Sequence, residues 1–392
     1  MSENKRQLLN PRLNRRTMLA AMNKIHEMMP PYTLTKISDA LNIADSTFEP
    51  YFDLLKTFGF ARVVLDYSRR ALGLKFVIAI VNGKRLESAP LKDYWLLGRF
   101  YTSIGTVLHY YLPAEDEEPL ERLRNELKDA KIYVFDEMYV AKPNWLYYYD
   151  KDKDKLYDID VIYKMLDDHP PIDISDKEPT RKPDATDIII IAALGFDALR
   201  NYDMLLDALR GPSPLRRMKP IVSFKAHMKH VIQFARGGRF LPLVKLNSFL
   251  LRYNEFMPFT AGYVLLKGSK KDVRDIFRRL MAFPFIGQIS VGEDAIYFNY
   301  VIDVRYFDFT IVREYMNYKW DEVTYFSLLG RDIAERYVIP FKEYDPVSKS
   351  WVTKSDFPLG AKAKEKLDEF DRWWDIYYSK KFSKNENDKT KK

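Results

Sequence analysis

The chain has 392 residues, and its 63 Lys and Arg against 55 Asp and Glu give a net charge of +8 at pH 7. Hydrophobic residues make up 47% of it, which excludes a wholly disordered chain, and the absence of cysteine excludes disulfides and thiolate metal sites. No apolar run approaches the roughly 20 residues that cross a bilayer. We therefore expect a cytoplasmic protein of several domains with an anionic partner, and the composition is compatible with an archaeal thermophile.

Residues 1–73 predict a basic arm followed by a winged helix-turn-helix. Between 16 and 29, apolar side chains recur at spacings of four, three and four, as on the buried face of a helix. A second short helix ends near Leu41, and a third helix ends at Gly59. The strand-forming residues at 61–65, with the segment that follows them to 73, predict a wing hairpin.

Residues 74–148 predict a ferredoxin-like domain. Its elements alternate in the order βαββαβ, which is the order of that fold. The expected elements are a strand at 74–81, a helix at 91–100, strands within 102–112, a helix at 119–130 and a strand at 131–140.

A segment rich in acids and prolines, 149–186, predicts an exposed linker. The same plan then returns: a winged helix over 187–256 and a ferredoxin-like domain over 257–345. Residues 346–392 predict a C-terminal helix with a disordered basic tail, and an apolar heptad pattern at 359–382 suggests pairing in a homodimer or packing on the same chain. The fold class is therefore α+β, with two winged helices alternating with two ferredoxin-like domains by tandem duplication.

The region 208–254 contains no Asp or Glu and ten Lys and Arg. Such a stretch repels itself unless an anion lies near, and on a winged helix it favours double-stranded DNA, with a solvated basic face, an acidic protein or RNA as alternatives. The first module has a weaker basic surface and is expected either to contact DNA or only to pack or dimerise. The candidate DNA contacts of the second module are Arg216, Arg217, Lys219, Ser223, Lys225, Lys229, Arg236 and Arg239, and those of the first are Ser46, Thr47, Tyr51, Arg62, Arg69 and Arg70.

Two stretches resemble the leucine-responsive (Lrp/AsnC, feast/famine) transcription regulators in a duplicated form. GFARVVLDYSRRALGLKFVIAIV at 59–81 is similar to the passage from the recognition helix to the first strand of the ligand domain. VGEDAIYFNYV at 291–301 is similar to the central glycine hairpin of that domain. The resemblance implies a sequence-specific DNA-binding regulator, associated with the nucleoid, that binds a small-molecule effector.

Neither a nucleotide-binding glycine motif nor a metal-binding motif occurs in the sequence. We therefore expect no cofactor, no metal and no enzymatic activity. Two other classes of function stay open. One is a replication initiator or nuclease with tandem winged helices, and the other is an architectural, chromatin-like DNA-binding protein.

Overall fold

The structure is a computed structural model of mixed α and β type with several small antiparallel sheets. Its helices and strands are numbered below in chain order. The residues that the structure describes are 14–30, 32–57, 61–91, 95–168, 172, 179–196, 198–199, 220–242, 259–303, 320–327, 339–340, 343–345 and 348–351.

Three helices open the described chain: α1 (Arg15–Glu27), α2 (Leu34–Leu41) and α3 (Asp45–Thr57). Side-chain oxygens of Asn14 and Thr33 accept backbone N–H groups at the first turns of α1 and α2, and these caps fix where the helices begin. The predicted helix triplet is confirmed by these elements.

The predicted wing hairpin is replaced by pairing between the two halves of the chain. After β1 (Ala61–Tyr67), the short helix α4 (Arg69–Leu72) follows instead of a returning strand. The partner of β1 is β9 (Ala235–Pro242), which lies antiparallel to it along its whole length. A side chain at Gly238 would lie 2.0 Å from the Tyr32 hydroxyl, so only glycine fits at this point of the strand.

The first larger sheet contains four strands in the order β3-β4-β2-β5. A helix was predicted at 91–100, but residues 96–102 form a strand, because the apolar side chains there are buried between both neighbouring layers rather than along one helical stripe. The helix α5 (Glu118–Glu126) confirms the predicted second helix of this unit. The strands are β2 (Leu74–Asn82), β3 (Leu96–Thr102), β4 (Gly105–Pro113) and β5 (Lys131–Phe135).

The second larger sheet contains five strands in the order β13-β10-β12-β11-β6. Its edge strand β6 comes from the first half of the chain, because the strand predicted at 131–140 breaks at Asp136 and crosses to the other sheet. Helix α9 (Lys270–Leu280) covers this sheet. The strands are β6 (Glu137–Val140), β10 (Phe259–Lys267), β11 (Ile286–Val291), β12 (Ala295–Asp303) and β13 (Glu322–Ser327).

The two larger sheets pack face to face through aromatic rings. The ring of Phe100 lies 5.4 Å from that of Tyr263, and the ring of Phe76 lies 6.4 Å from that of Tyr297, measured between centroids. Because Phe76 and Phe100 belong to the first sheet and the tyrosines to the second, one aromatic layer joins the halves.

The segment predicted to be an exposed linker is partly folded. It contains the hairpin strands β7 (Tyr149–Asp150) and β8 (Lys155–Leu156) and the helix α6 (Ile159–Asp167), whose Ile162 and Leu166 are buried. The apolar spacing within 159–167 accounts for this, because it forms one helical face among the charged residues.

Two further helices precede β9 in the chain: α7 (Ala185–Phe196) and α8 (Pro220–Phe234). Short strands β14 (Tyr344–Asp345) and β15 (Ser350–Trp351) end the described chain. Among the described helices, none is both long and apolar enough to span a membrane. The helix predicted at 359–382 lies outside the described residues.

Candidate functional site

A cavity lies between the two larger sheets. Its volume is about 30 Å³, which is room for two or three water molecules or for one carboxylate group. The first half of the chain contributes a mostly apolar wall, and the second half contributes hydroxyl and amide groups. The lining residues are Phe76, Leu97, Phe100, His109, Tyr111, Met138, Tyr263, Gln288, Ser290, Tyr297 and Asn299.

Strand pleat explains how these side chains reach one place. Residues two apart on a strand point to the same side of a sheet, so His109 and Tyr111 on β4 face the second sheet together. In the same way Tyr297 and Asn299 on β12 face the first sheet. The polar groups therefore lie on the inner faces, where water is largely excluded.

Arg69 lies immediately behind the cavity wall and is 0% exposed. Its guanidinium stacks on the ring of Tyr111 at 4.1 Å and on that of Phe76 at 4.9 Å, and it donates a 2.5 Å hydrogen bond to the Tyr111 hydroxyl. It also contacts the sulfur of Met138. All three of these neighbours line the cavity, so the positive charge of Arg69 lies directly behind its wall.

The charge of Arg69 is not compensated within the part of the chain that the structure describes. Its Nε and Nη1 atoms are buried and have no hydrogen-bond partner there, and no carboxylate forms an ion pair with it. A buried guanidinium without an anion costs several kcal/mol of folding free energy. An anionic ligand is one of the partners that would satisfy such a group.

His109 and Tyr297 form a polar pair across the cavity. The Nε2 atom of His109 lies 2.7 Å from the Tyr297 hydroxyl oxygen. Burial, and secondarily the charge of Arg69, lower the pKa of His109 to about 3, so its imidazole is neutral at pH 7. A bound anion would offset the charge of Arg69 and raise this pKa toward its ordinary value.

Five of the predicted DNA contacts are exposed. Among them, Ser46 and Thr47 are exposed on α3, Arg70 is exposed after β1, and Lys225 and Lys229 are exposed on α8. Helix α8 begins at Pro220, so Ser223 lies in its first turn rather than before it. Arg216, Arg217 and Lys219 lie outside the described residues, as do the side chains of Arg62 and Ser223.

Tyr51, Arg69, Arg236 and Arg239 were predicted to contact DNA, whereas their side chains are buried in the structure. The Tyr51 hydroxyl accepts the backbone N–H of Asn14. Arg239 lies 3.6 Å from buried Asp66, and its guanidinium donates to backbone carbonyls, including that of His26 at 3.1 Å. These partners occupy the groups that would have reached phosphates.

Arg236 is buried by an irregularity in the pairing of β1 with β9. The register shifts between Asp66 and Tyr67, which leaves Arg236 as the extra residue of a bulge and turns its side chain inward. There it forms an ion pair with Glu137, donates to the carbonyl oxygen of Met138 at 2.9 Å and lies over the ring of Tyr139. Arg236 thus connects the strand pair to the edge of the second sheet.

His109 was missed by the sequence reasoning, and Arg69 was expected on a surface, whereas its side chain is buried. The one available signal was the position of His109 in the middle of an otherwise apolar and aromatic strand, GTVLHYYLP. A histidine there is either a satisfied core residue or part of a polar site. Only the second sheet, far away in sequence, distinguishes these cases.

No family model matches the chain, and no curated protein matches it. The chain is similar to a crystal structure of the siroheme decarboxylase NirDL, with 11% identity and a TM-score of 0.42, covering 93% of this chain and 98% of that one. It is also similar to the structure of that enzyme in complex with an iron-uroporphyrin III analogue, with 10% identity, a TM-score of 0.41, and coverage of 93% and 99%.

These similar structures belong to an enzyme, and they correct three predictions. The assignment to feast/famine transcription regulators is wrong, and so are DNA-binding regulation and the expectation of no enzymatic activity. The burial of Arg236 and Arg239 agrees with this correction, since the basic region loses two of its cations to the interior. The expected association with the nucleoid loses its basis together with the regulator.

Proposed function

We propose that the chain binds the carboxylate of a small organic acid between its two larger sheets and transfers a proton at that acid. The observation that carries the proposal is the buried, uncompensated guanidinium of Arg69 behind a cavity that fits one carboxylate group. The planar guanidinium matches a carboxylate in geometry and charge. The small-molecule ligand expected from the sequence becomes, in this proposal, the substrate.

The polar lining suits such a ligand. Amide and hydroxyl groups of Gln288, Ser290 and Asn299 lie on the wall opposite the aromatic rings, where they can orient the rest of the acid by hydrogen bonds. Apolar rings on the other wall exclude water and so strengthen the attraction between the carboxylate and Arg69. Sites of this type combine a mostly apolar wall with a few placed polar groups.

The proton transfer is assigned to His109 and Tyr297. A neutral imidazole accepts a proton, and binding of the carboxylate raises the pKa of His109 by offsetting Arg69. The hydroxyl of Tyr297, 2.7 Å from Nε2, completes a short path along which a proton moves. The similar structures are named as a decarboxylase. A decarboxylation also ends with the delivery of a proton to carbon.

The test has a binding arm and a turnover arm. We expect formate, acetate or succinate to raise the melting temperature of the wild type and of Arg70→Met, an exposed neighbour, but not that of Arg69→Met. Incubation of the acids in D2O should exchange a carbon-bound proton in the wild type and not in His109→Gln, as followed by proton NMR. Decarboxylation would appear in the same spectra as a new product.

Three results would contradict the proposal. If the acids raise the melting temperature of Arg69→Met as much as that of the wild type, Arg69 does not bind the carboxylate. If proton exchange persists in His109→Gln, His109 is not the acid–base group. If inorganic phosphate raises the melting temperature more than every carboxylate does, the ligand is a phosphate rather than a carboxylate. Protection by siroheme that does not depend on Arg69 would indicate a different site, since a macrocycle enters this cavity only if the sheets part.

We also propose that the chain is a tandem duplication of a winged helix and a ferredoxin-like unit, with an Lrp/AsnC-like fold. Strand order supports this: in each sheet, the first strand of the unit lies between the third and the fourth. We keep the domain division proposed from the sequence, except that the strand 137–140 joins the sheet of the second half. The proposed domains are 1–73, 74–148, 149–186, 187–256, 257–345 and 346–392. The two halves, expressed separately, should then associate rather than remain monomeric.

A further inference from the structure

A second cluster of chemically active side chains lies away from the cavity, where α7 contacts α8. Asp187 stands in the first turn of α7 and is 0% exposed, while His227 and His230 lie three residues apart on one face of α8. The Nδ1 atom of His227 is 2.8 Å from Oδ1 of Asp187, and that of His230 is 3.7 Å from the same oxygen. One ligand atom from each residue lies within 4.8 Å of the other two.

The nitrogen of His230 is the unusual feature of this cluster. Its Nδ1 atom is buried, faces the carboxylate, and has no hydrogen-bond partner among the residues that the structure describes. A purely structural His–Asp pair would need only His227, which already satisfies Oδ1 of Asp187. His230 therefore offers a lone pair toward the same point without a structural purpose in this arrangement.

The surroundings hold the carboxylate in position. The second oxygen of Asp187, Oδ2, accepts a 2.8 Å hydrogen bond from Arg181 and a 3.1 Å hydrogen bond from the backbone N–H of Asp184. Those contacts leave Oδ1 directed at the two imidazoles. Metal-binding carboxylates are oriented in this way by hydrogen bonds to the oxygen that does not bind the metal.

We infer that Asp187, His227 and His230 bind a divalent transition-metal ion of the zinc type. Two imidazole nitrogens and one carboxylate oxygen form the three-residue set that zinc uses when its fourth position is taken by water, whereas calcium and magnesium prefer oxygen ligands alone. The ion would replace the hydrogen between His227 and Asp187. It would join α7 to α8 across the second winged-helix region, and it is independent of the cavity between the sheets.

Binding is tested with full-length protein stripped by a chelator, using Zn²⁺ in calorimetry and Co²⁺ as a visible-absorption probe. We expect one ion per chain in the wild type, and an affinity for Zn²⁺ at least about tenfold weaker in His230→Ala. The Nδ1 atom of His230 has no hydrogen-bond partner among the described residues, so this variant should keep the His227–Asp187 pair and the fold. Lys229→Ala, an exposed neighbour on the same helix, should bind like the wild type.

The absorption spectrum adds a readout that a merely structural role would not change. Co²⁺ in a four-coordinate site absorbs visible light strongly, so intense bands should appear in the wild type and in Lys229→Ala and be lost in His230→Ala. Absence of stoichiometric Zn²⁺ binding, or equal affinity in His230→Ala and the wild type, would overturn the inference and leave a structural His–Asp pair. Arg69→Met should keep full Zn²⁺ affinity, which separates this site from the cavity.

Discussion

Replacing Arg69 by methionine should stabilise the ligand-free protein, although it removes several contacts. The change loses one charge-assisted hydrogen bond to Tyr111, worth about 1.5–3 kcal/mol, and the stacking on Tyr111 and Phe76, worth about 0.5–2 kcal/mol each. It also removes a buried charge that has no anion, the burial of which costs several kcal/mol. Methionine fills a similar volume, so no large cavity opens, and we expect removal of the buried charge to outweigh the lost contacts and raise the free energy of unfolding.

Urea unfolding, followed by circular dichroism after dialysis into chloride buffer, measures this free energy. Arg70→Met is the matched control, because Arg70 is exposed and its replacement should change the free energy of unfolding by no more than about 0.5 kcal/mol. Repeating the measurement in saturating acetate should stabilise the wild type and leave Arg69→Met unchanged. If Arg69→Met is less stable than the wild type without acetate, the guanidinium is already compensated and the reasoning fails.

Three further predictions concern the interior. Burial lowers the pKa of His109 to about 3 and that of His26 well below its usual range, so the unfolded chain binds more protons below pH 6.5 and stability should fall on acidification. For His109 this lowers the free energy of unfolding by roughly 2 kcal/mol at pH 5, and urea titrations in which His109→Gln is as acid-sensitive as the wild type would refute it. Gly238→Ala should lower the free energy of unfolding by more than about 2 kcal/mol in the same assay, because the new methyl group would clash with Tyr32. Gly83→Ala has open space around it and should lower it by only about 1 kcal/mol, because of the positive φ at this residue. Equal losses in the two variants would contradict the close approach of Tyr32 to β9. Tyr297→Phe should lower the free energy of unfolding by about 1–2 kcal/mol, because it leaves the Nε2 atom of His109 without its hydrogen-bond partner. If calorimetry shows no change, another group forms a hydrogen bond with Nε2 in place of the Tyr297 hydroxyl.

Local patterns predicted much of the secondary structure. Apolar stripes and capping residues gave α1, α2, α3 and α9, because these signals lie within a few residues of one another. The pattern at 91–100 was misread, since apolar residues that are buried on both sides form a strand as readily as a helix.

The candidate site depended on contacts that no local pattern contains. Arg69 follows a strand in a basic stretch, as a surface arginine would, and only the crossing of β6 to the second sheet brings Met138 over it. The segment 61–73 was predicted to form a wing hairpin, but its strand at 61–67 pairs instead with 235–242 from the other half of the chain. Non-local pairing of this kind also explains why the positive charges of Arg236 and Arg239 were assigned to a surface.

The guanidinium resonance of Arg69 tests the central claim most directly. A buried Nε–H group exchanges slowly with water and should give a separate ¹⁵N–¹H signal, assigned by its absence in Arg69→Met. On addition of acetate at constant chloride, this signal should shift and saturate, as expected if the carboxylate accepts a hydrogen bond from Nε, while the signals of exposed arginines stay in place. A signal that does not move in saturating acetate, formate or succinate would contradict a carboxylate site between the two sheets.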